Sequence, residues 1–457
     1  MTTHNELQAQ RHFFHSGATR PYAWRREQLQ RLHDLVAASE TAIHQALYAD
    51  LKKGREEAYA TETGLVLAEI RHTLKHLGKW MRPKRVRTNL LNLPASSVIY
   101  PDPLGVVLVI APWNYPLQLS LVPLAAAIAA GNTVVLKPSE MAPATAALLE
   151  RLLTENFPKE LVQVVQGDGA TVIPAMLRDF RFDHIFFTGS VAVGRSIYKI
   201  AAETLTPVTL ELGGKSPVIV AADADLAVAA RRIIVGKFTN AGQTCVAPDY
   251  LLVHADVRDR LLHLLQETIT RFYGPQPEQS PDYGRIIDEK RFDTLVSYLS
   301  QGRILSGGNY DLQTLYIEPT LITNLTSDAA IMQGEIFGPL LPVFTYRTTA
   351  EAMDFVRRHP DPLAFYLFTG SREHVQQWVG KISFGGGCIN NTDWHFTSPY
   401  LPFGGVGNSG LGAYHGKYSF ERFTHPKPLL YSSTRIDPAI KYPPFRGKLK
   451  WFKFFLK

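Results

Sequence analysis

Cys245 stands in the stretch NAGQTCVAPDY, residues 240–250, and is one of two cysteines in a chain of 457 residues. A free cysteine on its own is more often a small buried apolar residue than a nucleophile. Its neighbours Gly242, Gln243 and Thr244 make no apolar layer, and Gly242 lets another backbone or a ligand approach closely. Such a setting suits a reactive thiol. Cys388, in FGGGCIN, has small neighbours too, but a strand-forming residue follows it, and it reads as structural.

Glu211 lies in LELGGKSP, residues 210–217. A carboxylate among apolar residues has a raised proton affinity and can act as a general base. The plainer alternative is an exposed residue at a strand end, but the Gly213–Gly214 pair favours a functional turn. The letters GGKS resemble a phosphate loop. That motif needs a glycine five positions before Gly214, and Thr209 stands there instead.

Two further stretches place polar groups where ligands bind. In FTGSVAVG, residues 187–194, a strand runs into a turn and a helix. Free N–H groups at a helix N-terminus attract anions, although the full dinucleotide glycine pattern is absent. In KPSE, residues 137–140, Lys137 and Glu140 follow the strand NTVVL, at the carboxyl end where α/β sheets bind ligands. A carboxylate there can take ribose hydroxyls. An ordinary helix start, with Ser139 as cap, is compatible with the same letters. His72 and His76 are four apart in a helical stretch, but Arg71 and Lys75 flank them; a solvated basic face is expected, and no metal site is indicated.

These groups need elements to hold them. Apolar residues recur at three- and four-residue spacing through 22–80, which predicts helix. RPKRVRTNLLNLPASS, residues 82–97, breaks the pattern as a linker or edge hairpin. From residue 104 the texture alternates. LGVVLVIAP, NTVVLKPSE, LVQVVQGD and FDHIFFTGS predict parallel strands, with helices between them and through VAVGRSIYKIAAETL. This is a doubly wound α/β pattern. A second α/β unit begins near Glu211, and the Gly- and aromatic-rich segment after Asn390 predicts strands and loops joining another body.

Composition excludes several classes. Apolar residues make up 45% and charged residues 19%, which suits a globular chain with a large core. Two cysteines cannot build a disulfide framework, so a cytoplasmic setting is expected. The N-terminal letters lack the apolar stretch of a secretory signal. LSLVPLAAAIAA is too short to cross a bilayer, which takes ~20 residues. The net charge of +7 is concentrated in Lys441, Arg446, Lys448, Lys450, Lys453 and Lys457, so no broad basic face for nucleic acid is implied. The tail KLKWFKFFLK, residues 448–457, would as a helix gather Lys450, Lys453 and Lys457 on one narrow face. Such a segment can lie in a membrane interface. It can equally pack on a dimer partner or cover a substrate entrance.

PWNYP, KPSE, FTGS-x-x-x-G, ELGGKSP, GQTC, EIFGP and PFGGVGNSG occur in that order over residues 112–410. The series resembles the aldehyde dehydrogenase superfamily over nearly the whole chain. APDY after Cys245 and the closing GNSGLGAYHGKYSFERFTH look most like its class 3 branch of fatty and aromatic aldehyde dehydrogenases. The resemblance implies an α/β fold of two doubly wound domains, for cofactor and catalysis, with a small oligomerisation element. The expected cofactor domain is 1–82 with 102–209, and the catalytic domain 210–390. The oligomerisation element is 83–101 with 391–430, and 431–457 forms the tail. A homodimer is implied as well.

The resemblance also implies roles. Cys245 attacks the aldehyde carbon, Asn114 and the Cys245 backbone N–H hold the oxyanion, and Glu211 activates water. Lys137 and Glu140 belong at the adenosine ribose, Gly189, Ser190 and Gly194 at the pyrophosphate, and Glu335 and Phe337 at the nicotinamide ribose and ring. Glu140 would repel a ribose phosphate, so NAD is expected with NADP tolerated. Tyr115 and Trp394 are expected along the substrate channel, for medium- to long-chain or aromatic aldehydes. Transfer of the thioester to coenzyme A stays open beside hydrolysis. A cofactor-free cysteine hydrolase would need a histidine partner that no local motif supplies, and a non-catalytic relative would not need Cys245, Glu211 and Asn114 together.

Overall fold

VVLVI at Val106–Ile110 is buried along its whole length, as a strand covered on both faces must be. In the computed structural model, which describes residues 4–456, it is central to a six-stranded sheet. The order is Gly410–Leu411, Val208–Leu212, His184–Gly189, Val106–Ile110, Thr133–Lys137 and Val162–Val164. All neighbours are parallel except the first pair. The helix Gln118–Ala130 is apolar all round and entirely buried. It packs against the helices Tyr22–Ala38 and Gly64–Trp80, so the N-terminal helices cover this face of the sheet.

A seven-stranded sheet forms the second α/β body, with Pro217–Val220, Tyr250–His254 and Ala364–Phe368 among its inner strands. Only Arg303–Ser306, at one edge, runs antiparallel to its neighbour. A third, antiparallel sheet joins Lys84–Val86, Ser96–Pro103 and Thr424–Tyr431. The stretch after residue 82 is therefore a hairpin, closed by a strand from the far end of the chain.

Three expectations need correction. The boundary at residue 210 falls inside the strand Val208–Leu212, which pairs along its length with the first sheet. Parallel pairing there buries Leu210 and Leu212, and so carries Glu211 into the first body. The segment 391–430 is divided, because Gly410–Leu411 adds to the first sheet while Thr424–Tyr431 builds the third. His72 and His76 are half-buried rather than solvated. Their rings lie 4.3 Å apart, and His76 stacks on Trp80 while His72 meets the edge of Tyr400.

The tail forms a helix, Leu449–Phe455, as its spacing predicts. Lys450 and Lys453 are exposed there; Lys457, expected on the same face, lies outside the described residues. Among the described residues no helix is long and apolar enough to cross a membrane.

Candidate active site

Cys245 follows a loop of unusual backbone shape. Asn240, Ala241 and Gly242 all have positive φ, at 54°, 50° and 75°. Left-handed residues in succession cost conformational energy and persist only where the surroundings hold them. Here they are held closely. The Asn240 N–H donates to Glu57 Oε1 at 2.7 Å. Gln243 Nε2 donates to the carbonyls of Asn240 and Arg285, and its Oε1 accepts from the Ile287 N–H. At Gly242 a Cβ would collide with the carbonyl of Gly338, so glycine is required by space as well as by φ.

The loop delivers Cys245, half-buried, to a cavity of about 780 Å³. The same cavity is lined by Asn114, Gly189, Ser190, Glu211, Glu335 and Phe337. Seven sequence-predicted residues, separated by up to 223 positions in the chain, thus share one space. Burial pushes the Cys245 thiol well up, and the nearby Glu335 and Glu211 carboxyls push it further. Glu211 is 3% exposed, and neither of its carboxyl oxygens has a hydrogen-bond partner. Burial raises its proton affinity far above the usual carboxylate range, against a smaller opposing effect of Arg422. A buried carboxyl with free oxygens and a raised proton affinity can, once ionised, take a proton from water.

Asn114 is placed from three sides. Its Nδ2 donates to the Gln243 carbonyl at 3.0 Å, which leaves its second N–H for another acceptor. Its own carbonyl accepts from Lys53 Nζ at 2.9 Å and from Asn240 Nδ2 at 2.8 Å. Lys53 in turn pairs with Glu62 at 2.5 Å, and both side chains are fully buried. Glu62 Oε2 accepts the Leu117 and Gln118 N–H groups at the start of the buried helix.

Lys53, Glu57, Glu62, Asn240 and Gln243 were not singled out by sequence reasoning. The first three lie in a charged stretch, LKKGREEAYATE, that apolar spacing assigns to a solvated helix face. The chain instead runs from Arg55–Ala58 into a π-helical turn at Tyr59–Thr63. Such a turn shifts the helical phase and carries Glu62 inward. The available signal was Gly54, which breaks the helical run.

A dinucleotide fits the residues present. Ser190 caps the helix Val191–Glu203, its side chain accepting from the Val193 N–H, so the helix start faces the cavity. A Cβ on Gly194 would come 2.6 Å from Leu212, so this glycine lets helix and strand approach. Glu335 is half-buried with Oε1 enclosed and unpartnered, an acceptor ready for a hydroxyl. Its carboxyl occupies the space where a Cβ on Gly213 would sit. Burial and Asp249 raise its proton affinity, which Arg291, Lys215 and Lys237 partly offset. Phe337 has φ 49° and meets Trp113 edge-on at 5.2 Å.

Lys137 and Glu140 do not line this cavity. Lys137 Nζ donates to Glu140 Oε2 and to the Pro138 carbonyl, each at 2.7 Å, and Glu140 Oε1 accepts the Gly169 N–H at 2.9 Å. Burial pushes the Glu140 carboxyl up, but these two donors outweigh it and hold it below its usual range. An anionic carboxylate therefore stands at the end of Thr133–Lys137. Tyr115 and Trp394 also lie off the cavity that Cys245 opens onto. Tyr115 is buried, with its hydroxyl 2.5 Å from Thr244 Oγ1, directly beside the nucleophile loop. Trp394 is 60% exposed. Cys388 Sγ is 3.7 Å from His395 Nδ1.

Known proteins resemble the chain along nearly its whole length. The profile of the aldehyde dehydrogenase family matches residues 3–429. The 4,4'-diaponeurosporen-aldehyde dehydrogenase of Staphylococcus aureus is 48% identical, over 97% of each chain. Aldehyde dehydrogenase family 3 member A2 of Macaca fascicularis is 43% identical over 99% of this chain and 93% of its own. The substrate-bound structure of Staphylococcus aureus AldH superposes with a TM-score of 0.98 at 47% identity, covering 100% of both chains.

Proposed function

The chain belongs to the aldehyde dehydrogenase family, in its class 3-like part, and from that premise we propose how its residues oxidise an aldehyde to a carboxylic acid. The cavity shared by Cys245, Glu211 and Asn114 carries the reading.

The Cys245 sulfur adds to the aldehyde carbon as the thiol proton leaves to solvent. The carbonyl oxygen gains charge and receives the free Nδ2–H of Asn114 and the Cys245 backbone N–H. Each such donor contributes ~3 kcal/mol to the transition state. The family uses NAD(P), which when bound would supply the acceptor for the hydride that the thiohemiacetal carbon loses. The Gly189–Ser190 turn, Glu335 and Phe337 would hold the dinucleotide. Glu211 then takes a proton from water, which attacks the thioester, and returns it to the Cys245 sulfur as the acid leaves.

The substrates are medium- to long-chain aliphatic or aromatic aldehydes. Supporting this, the Staphylococcus aureus relative is named for 4,4'-diaponeurosporen-aldehyde. NAD is preferred and NADP tolerated, because Glu140 is anionic and Lys137 neutralises it only in part. The third sheet supports a homodimer, with Leu429, Leu430 and Tyr431 exposed along its outer strand. The protein works in the cytoplasm, and its tail helix touches the surface of anionic membranes.

Mixing protein, NAD or NADP and a panel of aldehydes, and following reduced-cofactor absorbance, tests the reading. Turnover is expected to rise with chain length and to be lost in Cys245→Ala while cofactor binding persists. Product analysis distinguishes free acid, the expected outcome, from an acyl-coenzyme A. Substantial reduction of cofactor by Cys245→Ala removes the assigned nucleophile.

A further inference from the structure

Tyr366 Oη lies 2.6 Å from the carbonyl oxygen of Val246 and 3.0 Å from Asp393 Oδ1. A phenol carries one proton. The Val246 carbonyl can only accept, so the shorter contact takes that proton. The contact with Asp393 is then a hydrogen bond only if the carboxyl is the donor. With an ionised Asp393, two lone pairs would face each other beside the fully buried Tyr366 ring. Val246 follows Cys245 directly, so the series Asp393–Tyr366–Val246 ends on the residue next to the nucleophile.

Independent observations fix the acid there. Asp393 has φ 58°, a conformation that needs external support. Thr392 Oγ1, just before it, donates to the Arg232 carbonyl at 2.7 Å. A Cβ on Gly236 would come 2.7 Å from Asp393 Oδ2, so the carboxyl packs on the helix Leu226–Phe238. The groups facing it are Tyr366 and Cys388 from neighbouring strands, Lys237 from that helix, His395 from its own loop, and Cys245 and Tyr115 across the site. Burial pushes Asp393 up to about 8, with Tyr366 and Lys237 holding it lower than burial alone would. Burial brings Lys237 down to about 8, and its Nζ has no hydrogen-bond partner. His395, pulled down to about 4 by burial, is neutral near pH 7.

We propose that Asp393 is a positioning residue that acts in its neutral form: its carboxyl donates to Tyr366, Tyr366 donates to the Val246 carbonyl, and the peptide following Cys245 is thereby held for attack. Loss of the carboxyl proton does two things. Tyr366 is left with two acceptors for one proton. A third carboxylate also joins Glu335 and Glu211 in opposing a Cys245 thiolate. Nucleophile reactivity therefore falls behind that of a simple thiol as pH rises through the ionisation of Asp393. The inference rests on Cys245 as nucleophile.

Asp393→Asn tests it, because the amide donates like the neutral acid and never ionises. Two readouts are followed against pH: the NADH burst of the holoenzyme, and iodoacetamide alkylation of Cys245 located by peptide mass in the cofactor-free protein. Near pH 6.5 the variant should match wild type within about twofold in both; near pH 9 it should exceed wild type by about threefold or more, since removing a nearby buried charge favours the thiolate. Tyr366→Phe should lower both rates at every pH and shrink the alkaline difference, leaving the part that the Asp393 charge exerts directly on the thiolate. An unchanged alkylation profile in Asp393→Asn overturns the inference, as does a loss near pH 6.5, which would mean that the ionised carboxylate is the working form. If Asp393→Asn does not fold, a Tyr366→Phe profile whose alkaline lag is as large as wild type's overturns it, and one with a smaller lag supports it. The nucleophile assignment fails separately, through aldehyde oxidation by Cys245→Ala, while alkylation still reads the Asp393 series.

Discussion

The Asn114 side-chain amide donates to the Gln243 carbonyl at 3.0 Å, which ties the proposed oxyanion donor to the loop of the proposed nucleophile, two residues before Cys245. Both ends of this bond are held by one buried charge. Lys53 Nζ reaches the Asn114 carbonyl, and that carbonyl is shared with Asn240 from the loop itself. Donor and nucleophile are therefore set relative to each other by a residue that touches no reacting atom.

Lys53→Met removes that support. It leaves Glu62 buried without its cation, a loss of about 3–5 kcal/mol for a pair of this kind. A lower apparent melting temperature and a kcat loss that exceeds any change in KM are expected. Lys53→Met with Glu62→Gln should recover much of the stability and little of the rate. Full recovery of kcat in the double variant would show that Lys53 serves folding alone.

Glu211→Gln separates two consequences of one buried carboxyl. Deacylation needs a base for water, so a near-stoichiometric burst of NADH with little steady turnover is expected. Stability should move the other way. The folded-state proton affinity of Glu211 is raised well above its ordinary pKa of 4.5, so the folded protein holds the proton longer than the unfolded chain. The stability this group contributes is full below pH 4.5 and is lost as pH rises toward the folded value. The melting temperature of Glu211→Gln should accordingly gain on wild type from acid to neutral pH. A constant difference across that range would exclude a raised carboxyl.

Much of this site was legible as letters in order. Cys245, Glu211 and Asn114 stand in motifs whose spacing fixes loop, strand and turn, and the cavity brings all three together. The supporting charges were not legible, because their burial depends on a π-helical turn that no apolar period announces. Lys53 and Glu62 therefore look like any solvated pair on a helix. Trp394 shows the opposite limit. The resemblance implies a channel wall there, and the local turn after Asp393 leaves the side chain mostly in solvent. The alternating texture placed the strands well but could not divide the domains. A parallel strand carries no mark of which sheet it joins, and Val208–Leu212 joined the first.

Glu140 sets an expectation for cofactor choice. Its carboxylate is ionised and anchored by Lys137 and the Gly169 N–H, so it cannot swing away from an incoming phosphate. Glu140→Gln removes the repulsion and leaves Lys137 as an unopposed cation. The ratio of kcat/KM for NADP over NAD should rise by about tenfold, which corresponds to ~1.4 kcal/mol. An unchanged ratio would place the adenosine ribose elsewhere.

The tail offers the last test. Leu449, Trp451, Phe454 and Leu456 are each more than half exposed on the helix Leu449–Phe455, while Lys448, Lys450 and Lys453 stand among them. Trp451 and Phe455 stack on each other at 6.3 Å. Lys448 Nζ donates back to the Ala439 and Tyr442 carbonyls, which fixes where the helix starts. Gly447, with φ 82°, supplies the turn before it. Exposed aromatics with interleaved lysines match an anionic bilayer surface, where each lysine contributes ~1 kcal/mol and salt weakens the attraction. The intact chain should therefore sediment with vesicles containing anionic lipid, lose them at high salt, and ignore neutral vesicles. A chain ending at Gly447 should bind neither and keep its activity on short aldehydes. If truncation changes the preference between short and long aldehydes while vesicle binding stays the same, the helix covers the substrate entrance and the membrane contact is wrong.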